Sequence, residues 1–207
     1  MNVEIDRFHV RVMISLMQAS LLVLAGGDSR RMGRPKAWLE VGDTYLLRYV
    51  AERLAPTFSE VMVSFAEPEQ LEEPVPYRVV FDRRTPAGPL AGLEAGLAAA
   101  RNDMVFAVAC DMPYVTQEVA QIAVAAARRC DAAIPRIDGR PEPVCGAYRR
   151  SALPFITGAV NTGRLKAADL SAELDVTWLE DLDPLLFRSL NTPQDLERFH
   201  AEFAAQR

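Results

Sequence analysis

The chain has 207 residues, half of them hydrophobic, and carries a net charge of −5 at pH 7. This length and hydrophobic content are typical of one folded domain, and the negative charge disfavours a general binder of nucleic acids or acidic membranes. The three cysteines are too irregularly spaced to predict a disulfide framework or a Cys-x-x-Cys metal site. We therefore expect a reduced, cytoplasmic protein.

The N-terminal segment mixes apolar and charged residues. It lacks the long apolar run and small-residue cleavage site of a signal peptide, and it contains no membrane-spanning pattern. Because Met13 and Met17 lie just before the first predicted strand, residues 1–18 are interpreted either as a mobile extension or as the result of a translation start assigned too early. The folded domain is then expected at residues 19–207.

Short apolar runs alternate with helical patterns in the first half of the chain. Runs rich in Val, Leu and Phe predict buried strands, and apolar residues at helical spacing predict helices between and after them. Thr116 is a candidate N-cap of the last of these helices. This alternation predicts an α/β domain with a mostly parallel sheet covered on both faces. The predicted strands are residues 20–26, 60–65, 77–82 and 104–111, and the predicted helices are residues 44–55, 91–101 and 116–129.

The second half of the chain is less regular. Its strand candidates are separated by turn residues and by helical pieces, and a final helix closes the sequence. We find no internal repeat and no low-complexity linker, so the whole chain is interpreted as a single domain. The strand candidates are residues 132–137, 142–148, 175–180 and 185–190, and the helices are expected near residues 151–157, 163–172 and 193–205.

The loop LAGGDSRRMGRPK, from Leu24 to Lys36, directly follows the first predicted strand. Its paired glycines let backbone N–H groups approach a ligand closely, and its cations suit phosphate groups. The spacing matches neither the P-loop nor the dinucleotide-binding GxGxxG pattern. A solvated basic turn is the alternative, but the position after a buried strand favours anion binding. The residues concerned are Gly26, Gly27, Arg30, Arg31, Arg34 and Lys36.

Two aspartates are predicted to end strands that neighbour the first one, where ligands of open parallel sheets bind. Asp111 could hold Mg²⁺ against phosphate oxygens, or it could be a turn or capping residue. Asp82 could accept a hydrogen bond from a ligand, or it too could be a turn residue. Residues 85–97 begin a helix whose N-terminus favours an anion, and their glycines and alanines also suit close packing on the sheet.

Other catalytic chemistries find little support. His9 and His200 are the only histidines and both lie outside these loops, which disfavours a histidine-dependent mechanism. Cys110 is interpreted as a small core residue, and Cys145 has no evident histidine partner. Phosphate chemistry remains, and it needs positioning and charge neutralisation more than a protein nucleophile.

The same stretches resemble a known family. LAGGDSRRMGRPK is similar to the LAGGxSxRMGxxK signature of nucleotidyltransferases with a nucleotide-diphospho-sugar transferase fold, and it most resembles the molybdenum cofactor guanylyltransferases among them. The resemblance continues through VVFD, GPLAGL, ACDMPYV, PEPVCGAYRRSALP and SLNTPQDLERF, and it covers about residues 20–200. It implies a single-domain, three-layer α/β/α fold with a mostly parallel, Rossmann-like sheet, so residues 19–207 are interpreted as a nucleotidyltransferase domain.

The resemblance also implies a reaction. GMP would be transferred from GTP to the molybdopterin-molybdenum cofactor, with Mg²⁺ as metal and pyrophosphate as the second product. The terminal phosphate of the pterin would attack the α-phosphorus in line, while Arg31, Lys36 and Mg²⁺ stabilise the charge. The implied partners are the pterin cofactor and GTP, together with cofactor-delivery proteins or apo-molybdoenzymes. We expect a monomer with no nucleic-acid or membrane partner.

Individual residues take their roles from the same resemblance. Lys36, Arg31 and Asp111 are implied to be catalytic, and Asp111 is also the implied metal ligand. Asn191 is implied to lie on the pterin side, and Arg30 and Arg34 rank lower. The nucleotide-binding positions are Leu24, Ala25, Gly26, Gly27, Lys36, Asp82, Gly88, Pro89, Leu90 and Asp111.

The chain departs from the family pattern in two places. Ser64 or Ala66 stands where the family usually has an asparagine that contributes to nucleotide binding. Ser189 and a leucine precede Asn191, where the family has a doubled asparagine. Both departures bear on base identity and pterin affinity rather than on the metal and phosphate residues.

Three alternative functions stay open. A cytidylyltransferase acting on the same pterin is the nearest, since its branch reads LAAGxSxRMGxPK and shares the Arg-Pro-Lys ending, but Gly26 in place of alanine favours guanine. A nucleotidyltransferase acting on a sugar or alcohol phosphate is the second. A non-catalytic nucleotide-binding protein is the third, and the presence of Lys36 and Asp111 disfavours it.

Overall fold

The computed structural model describes residues 16–26, 34–83, 88–163 and 173–205. These residues form an eight-stranded sheet, a short two-stranded hairpin and five α-helices. The strands are β1 (Met17–Leu24), β2 (Glu40–Val41), β3 (Thr44–Tyr45), β4 (Phe58–Phe65), β5 (Arg78–Phe81), β6 (Met104–Ala109), β7 (Ala132–Ile137), β8 (Arg140–Pro141), β9 (Cys145–Arg149) and β10 (Val176–Leu179). The helices are α1 (Leu46–Leu54), α2 (Gly88–Ala99), α3 (Gln117–Ala126), α4 (Leu153–Asn161) and α5 (Pro193–Ala205).

The large sheet is mostly parallel, as predicted. Its strand order is β10-β7-β9-β6-β1-β4-β5, with β8 paired to β7. The pairs β1–β4, β1–β6, β4–β5 and β7–β10 are parallel, whereas β9 runs antiparallel to both of its neighbours. The carboxyl ends of β1 and β6 therefore lie side by side near the middle of the sheet. In open parallel sheets this edge is where ligands bind.

Two apolar clusters, one on each face of the sheet, make the fold a three-layer one. Because side chains alternate along a strand, Leu21 and Val23 of β1 face one cluster and Leu22 and Leu24 face the other. The first cluster contains buried residues of α1 and α3 and Phe199 of α5, and the second contains those of α2 and α4. This double-sided burial explains why β1 reads as a continuous apolar run.

Helix α2 packs very closely on the sheet. A Cβ atom built at Gly92 would lie 2.7 Å from Ser64 Oγ and 3.2 Å from Leu24 Cδ2, and one built at Gly96 would collide with Leu22. Glycine at both positions lets the helix lie this close to the strands, because a side chain there would displace Ser64 or Leu22. The close packing considered for residues 85–97 is thus present in the structure.

A buried polar group lies at the opposite end of the sheet. Ser20 Oγ donates to Glu60 Oε2 at 2.6 Å, and the backbone N–H of Arg101 donates to the same oxygen at 2.8 Å. Arg78 Nη1 approaches Glu60 Oε1 at 3.3 Å. The Glu60 carboxylate is therefore paired and hydrogen-bonded, which is how a buried charge is tolerated.

The sequence-based elements are mostly confirmed, with one clear error. The N-cap at Thr116 is present, since its Oγ1 accepts from the N–H of Val119 at 3.4 Å. Residues 185–190 were expected to form a strand, but a 3₁₀ turn over Pro184–Phe187 occupies this region. The turn forms because Pro184 fixes φ and the Asp183 side chain accepts from the N–H of Leu185.

Two further expectations concern the limits of the described chain. Strand β1 begins at Met17, two residues before the expected domain start at residue 19. Helix α4 ends at Asn161, and most of the helix expected at residues 163–172 lies outside the described residues. Within the described ranges, no helix is long and apolar enough to cross a membrane.

Candidate active site

A cavity of about 240 Å³ opens at the carboxyl ends of β1 and β6. The glycine-containing loop after β1 and the segment around Asp111 both line it, and the sequence predicted that these two segments lie close together. The start of α2, the turn before β9 and the segment before α5 complete its wall. The lining residues are Leu24, Ala25, Gly26, Lys36, Pro89, Ala109, Cys110, Asp111, Val144 and Ser189.

Backbone hydrogen bonds hold the two central loops against each other. The N–H of Cys110 donates to the carbonyl of Leu24 at 3.0 Å, which extends the pairing of β1 and β6 beyond the strands. The N–H of Ala25 donates to the carbonyl of Ser64 at 2.8 Å on the other side. The two loops that line the cavity are therefore held in place by the ends of three adjacent strands.

Gly26 lies where the first loop passes over the end of β4. A Cβ atom at this position would lie 2.6 Å from the backbone nitrogen of Ala66 and 3.2 Å from the carbonyl carbon of Phe65. Since backbone atoms cannot move away cheaply, this glycine has a packing reason that is independent of the base recognised. The preference for guanine that we attached to Gly26 therefore loses its main support.

Lys36 is held over the cavity by the tryptophan two residues later. Trp38 is buried, its ring stacks on Phe65 with centroids 6.0 Å apart, and its Nε1 donates to the carbonyl of Gln70 at 2.7 Å. Lys36 and Trp38 share a single 3₁₀ turn that follows Pro35. The anchored indole thus fixes the backbone from which the lysine side chain extends.

The lysine joins two residues that lie far from it in the sequence. Its Nζ donates to Asp111 Oδ2 at 2.6 Å and to Asn191 Oδ1 at 2.7 Å. The Lys36 and Asp111 side chains are only 20% and 18% exposed, so this ion pair is partly shielded from water. The N–H of Leu190 also donates to the carbonyl of Asp111 at 2.9 Å, which fastens the segment before α5 to the aspartate loop.

Further negative charge lies beside Asp111. Burial and, secondarily, the charge of Asp111 raise the pKa of Glu142. Glu142 lies two residues before Val144, whose carbonyl accepts from the N–H of Ala109 at the end of β6. Among the described residues no group of three or more His, Cys, Asp or Glu side chains could hold a metal ion by itself. Glu142 lies in the segment PEPVCGAY, and nothing in the sequence pattern marks it as a site residue.

Asp82 is not part of this cavity. Strand β4 separates β5 from β1, so Asp82 and Asp111 do not end strands adjacent to one another, and the expectation that both neighbour β1 is wrong for Asp82. Asp82 Oδ1 is buried and has no hydrogen-bond partner among the described residues. Burial and the charge of Glu94 raise its pKa to about 7.

The other predicted residues fall into two groups. Pro89 lines the cavity, and Gly88 begins α2 with a positive φ of 58°. The Leu90 side chain is buried in the apolar cluster that contains residues of α2 and α4. Any contact of Leu90 with a ligand would therefore use its backbone. Gly27, Arg30 and Arg31 lie outside the described residues, and Arg34 Nη2 contacts Glu72 at 3.5 Å.

The cysteine in the cavity does not suit nucleophilic chemistry. Burial and the neighbouring Asp111 charge raise the pKa of the Cys110 thiol, which keeps it protonated. His200 Nε2 lies 2.8 Å from the carbonyl of Glu40, away from this cavity. The groups that converge here are thus a lysine, a carboxylate, an amide and backbone atoms, a set that suits phosphate chemistry.

Comparison with known proteins agrees with this geometry. The model of the MobA-like NTP transferase domain matches residues 21–184, which include β6 and the carboxyl end of β1, the two strand ends that border the cavity. The chain belongs to the MobA-like NTP transferase family.

Individual members of this MobA-like family align with most of this chain. A probable molybdenum cofactor guanylyltransferase of Pelotomaculum thermopropionicum is 33% identical over 189 residues, which cover 87% of this chain and 91% of the relative. The molybdenum cofactor guanylyltransferase of Syntrophotalea carbinolica is 31% identical, with 88% and 91% covered. The resemblance thus extends over nearly the full length of both relatives.

Solved structures confirm the fold. The molybdopterin-guanine dinucleotide biosynthesis protein A of Archaeoglobus fulgidus superposes with a TM-score of 0.79 at 27% identity, covering 91% of this chain and all of that chain. The 2-C-methyl-D-erythritol 4-phosphate cytidylyltransferase of Thermus thermophilus superposes with a TM-score of 0.68 at 24% identity, covering 89% and 98%. The second likeness shows the nucleotide-diphospho-sugar transferase fold alone.

Proposed function

We propose that this MobA-like NTP transferase transfers GMP from GTP to the molybdopterin-molybdenum cofactor and releases pyrophosphate. The observation that carries the proposal is the position of Lys36, whose ammonium contacts Asp111 at 2.6 Å and Asn191 at 2.7 Å at the mouth of the cavity. A cation and a carboxylate in contact at the carboxyl edge of a parallel sheet suit a nucleoside triphosphate. The named guanylyltransferase relatives support guanine as the base.

The residues divide the binding of GTP between them. Backbone atoms of residues 24–27 would contact the nucleotide, with the N–H groups of Gly26 and Gly27 as donors because the N–H of Ala25 is bonded to Ser64. Lys36 would supply positive charge to the phosphates. Arg31 and Gly27 belong to this proposal from the sequence alone. Asp82 is proposed as a contact to a more distant part of the nucleotide, since β5 lies two strands from β1. Asn191 is proposed on the acceptor side because it reaches Lys36 from the segment before α5.

The donor atoms of the cavity fit Mg²⁺. This ion prefers oxygen ligands and in phosphate-transfer sites commonly binds one or two carboxylates plus substrate phosphates and water. Asp111 supplies a carboxylate in the cavity wall, and the pKa of the second carboxylate nearby, Glu142, is raised by burial and secondarily by the charge of Asp111. When bound, Mg²⁺ would neutralise charge on the phosphates and on the leaving pyrophosphate.

The transfer itself needs no protein nucleophile. The terminal phosphate of the pterin forms the new P–O bond to the α-phosphorus of GTP, and the bond between the α-phosphorus and the bridging oxygen breaks as pyrophosphate leaves. Lys36 stabilises the charge that develops on the phosphates, and Asp111 orients Lys36 through their ion pair. The protonated Cys110 and the distant His200 take no part.

The decisive experiment is a pyrophosphate-release assay with purified protein, Mg²⁺ and molybdenum-loaded molybdopterin, offering GTP and CTP separately. We expect turnover with GTP and little with CTP. Turnover with CTP alone would assign the chain to the cytidylyltransferases instead. Turnover only with a sugar or alcohol phosphate as acceptor would support the second alternative, and nucleotide binding without any transfer would support the third.

The metal and phosphate assignment is tested by Asp111→Asn. This variant keeps the size of the side chain but removes the charge, so we expect transfer to fall by about 100-fold or more. Asp103→Asn is the matched control, because Asp103 is 61% exposed and pairs with Arg149 at 3.2 Å on the opposite edge of the sheet. Equal activity of the two variants would contradict the role given to Asp111.

The remaining expectations about this chain are proposals of the same kind. We propose that it acts as a monomer in the cytoplasm and receives the pterin from a delivery protein or passes the product to an apo-molybdoenzyme. Size-exclusion chromatography with light scattering tests the first statement. Capture of the loaded product by a purified apo-molybdoenzyme tests the last.

A further inference from the structure

Helix α5 begins with a reciprocal set of hydrogen bonds. The N–H of Asp195 donates to Thr192 Oγ1 at 3.2 Å, and the N–H of Thr192 donates to Asp195 Oδ2 at 2.9 Å. Thr192 Oγ1 also donates to the same carboxylate oxygen at 2.8 Å. This arrangement is a capping box in which aspartate takes the place of the more usual glutamate.

The Asp195 carboxylate makes one bond more than a helix cap requires. Its Oδ2 also accepts from the backbone N–H of Asn191 at 3.1 Å, one residue outside the cap. Bonds from the Thr192 side chain and the Asn191 backbone lower the pKa of Asp195, so it is ionised at neutral pH. A charged acceptor holds these N–H groups more firmly than a neutral one would.

The extra bond acts on a residue of the proposed transfer site. Asn191 Oδ1 accepts from Lys36 Nζ at 2.7 Å, and Lys36 in turn contacts Asp111 at 2.6 Å. On the other side, the N–H of Leu190 donates to the Asp111 carbonyl at 2.9 Å. The backbone at residues 190 and 191 is therefore fastened at two points, one on the aspartate loop and one on Asp195.

We propose that Asp195 is a positioning residue of the transfer site, whose carboxylate fixes the Asn191 backbone and thereby holds the Asn191 carboxamide against Lys36. This inference rests on the proposed function, because it concerns the same lysine. Asn191 has two rotatable side-chain bonds, and its amide reaches Lys36 only while its Cα stays in place. Without Asp195, the amide samples positions from which it no longer orients the lysine.

Asp183 supplies a matched control within the same segment. Its carboxylate also caps a turn, accepting from the N–H of Leu185 at 2.9 Å, and it too lies on the surface. The turn that it caps, Pro184–Phe187, precedes the segment that contacts Lys36, so its loss weakens a cap without removing a bond to the Asn191 backbone. Asp195→Ala and Asp183→Ala should therefore lower the melting temperature by similar small amounts.

Transfer activity separates the two variants. We expect Asp195→Ala to lower kcat/KM for the pterin acceptor about tenfold, a size typical of a misplaced positioning group, and Asp183→Ala to stay within about twofold of the unaltered chain. Asn191→Ala should lose about as much as Asp195→Ala, and the double variant should lose no more than either single one. Asp195→Asn, which keeps an acceptor oxygen, should restore part of the loss.

A second measurement does not depend on transfer. The ¹⁵N-resolved side-chain amide signals of Asn191 should shift in Asp195→Ala and stay unchanged in Asp183→Ala. If the unaltered chain shows no transfer with GTP, the proposed function fails while this spectrum still tests the positioning. Equal activity of the two aspartate variants, additive losses in the double variant or an unshifted Asn191 signal would overturn the inference.

Discussion

Asp82→Asn should stabilise the protein at alkaline pH and have little effect at acid pH. The Asp82 carboxyl lies beyond β5 with one oxygen buried and without a hydrogen-bond partner among the described residues. Burial and the charge of Glu94 raise its pKa from the ordinary value of 3.8 to about 7. Ionising this group in the folded chain therefore costs free energy that an asparagine does not.

The sign and size of the effect follow from the two pKa values. Between about pH 4 and pH 7 the folded chain binds a proton that the unfolded chain has lost, so the stability contributed by Asp82 falls as pH rises through this window. A difference of about 3 pH units corresponds to about 4 kcal/mol. Partial access of water to the carboxyl reduces this to roughly 2 kcal/mol.

Urea unfolding at a series of pH values measures the effect. The advantage of Asp82→Asn in free energy of unfolding should grow by roughly 1–2 kcal/mol between about pH 5 and about pH 8. Asp103→Asn controls for the loss of one negative charge at an exposed position, 61% of that side chain being accessible. A difference that stays constant with pH, or that grows toward acid, would refute the assignment of a raised pKa to Asp82.

Gly26→Ala should destabilise the fold by about 1–3 kcal/mol, because its Cβ would lie 2.6 Å from the backbone nitrogen of Ala66. The variant should keep the same preference between GTP and CTP, and a switch toward CTP in competition assays would show that Gly26 does select the base. Ser20→Ala removes a donor 2.6 Å from the buried Glu60 carboxylate and should cost about 1–2 kcal/mol in urea unfolding. Ser59→Ala should cost less, because its two hydrogen bonds are longer, at 3.1 and 3.2 Å, and neither involves a charged group; equal losses would contradict this reasoning. Chelation by EDTA should abolish pyrophosphate release, and Mg²⁺ should restore it; release that persists in EDTA would contradict the proposed metal site.

Most of the fold could be predicted from the chain because burial imposes simple patterns on strands and helices. A strand covered on both faces needs apolar residues at every position, and β1 and β6 read in this way. The prediction of a strand at residues 185–190 is wrong because the apolar residues there lie in and just after a 3₁₀ turn. Pro184 and the Asp183 cap, not the apolar count, determine the local backbone.

The site was predictable in part. Lys36 and Asp111 are 75 residues apart, yet both follow strands of a parallel sheet, and such strand ends converge at one edge. The positions of Asp195 and Glu142 beside the site could not be predicted in the same way. Asp195 resembles an ordinary helix-capping residue, and Glu142 lies near Asp111 because β9 runs antiparallel beside β6.

The sequence by itself determined the chemistry that this chain can offer and the order of its elements. Glycines, cations and carboxylates placed after apolar runs predict a phosphate site at the end of a sheet, since backbone N–H groups and cations there suit an anion. Only the tertiary structure decided which groups meet. The contact of Lys36 with Asn191 spans 155 residues, and the separation of Asp82 from Asp111 depends on strand order. Both follow from how the strands pair, a non-local property that no short segment encodes.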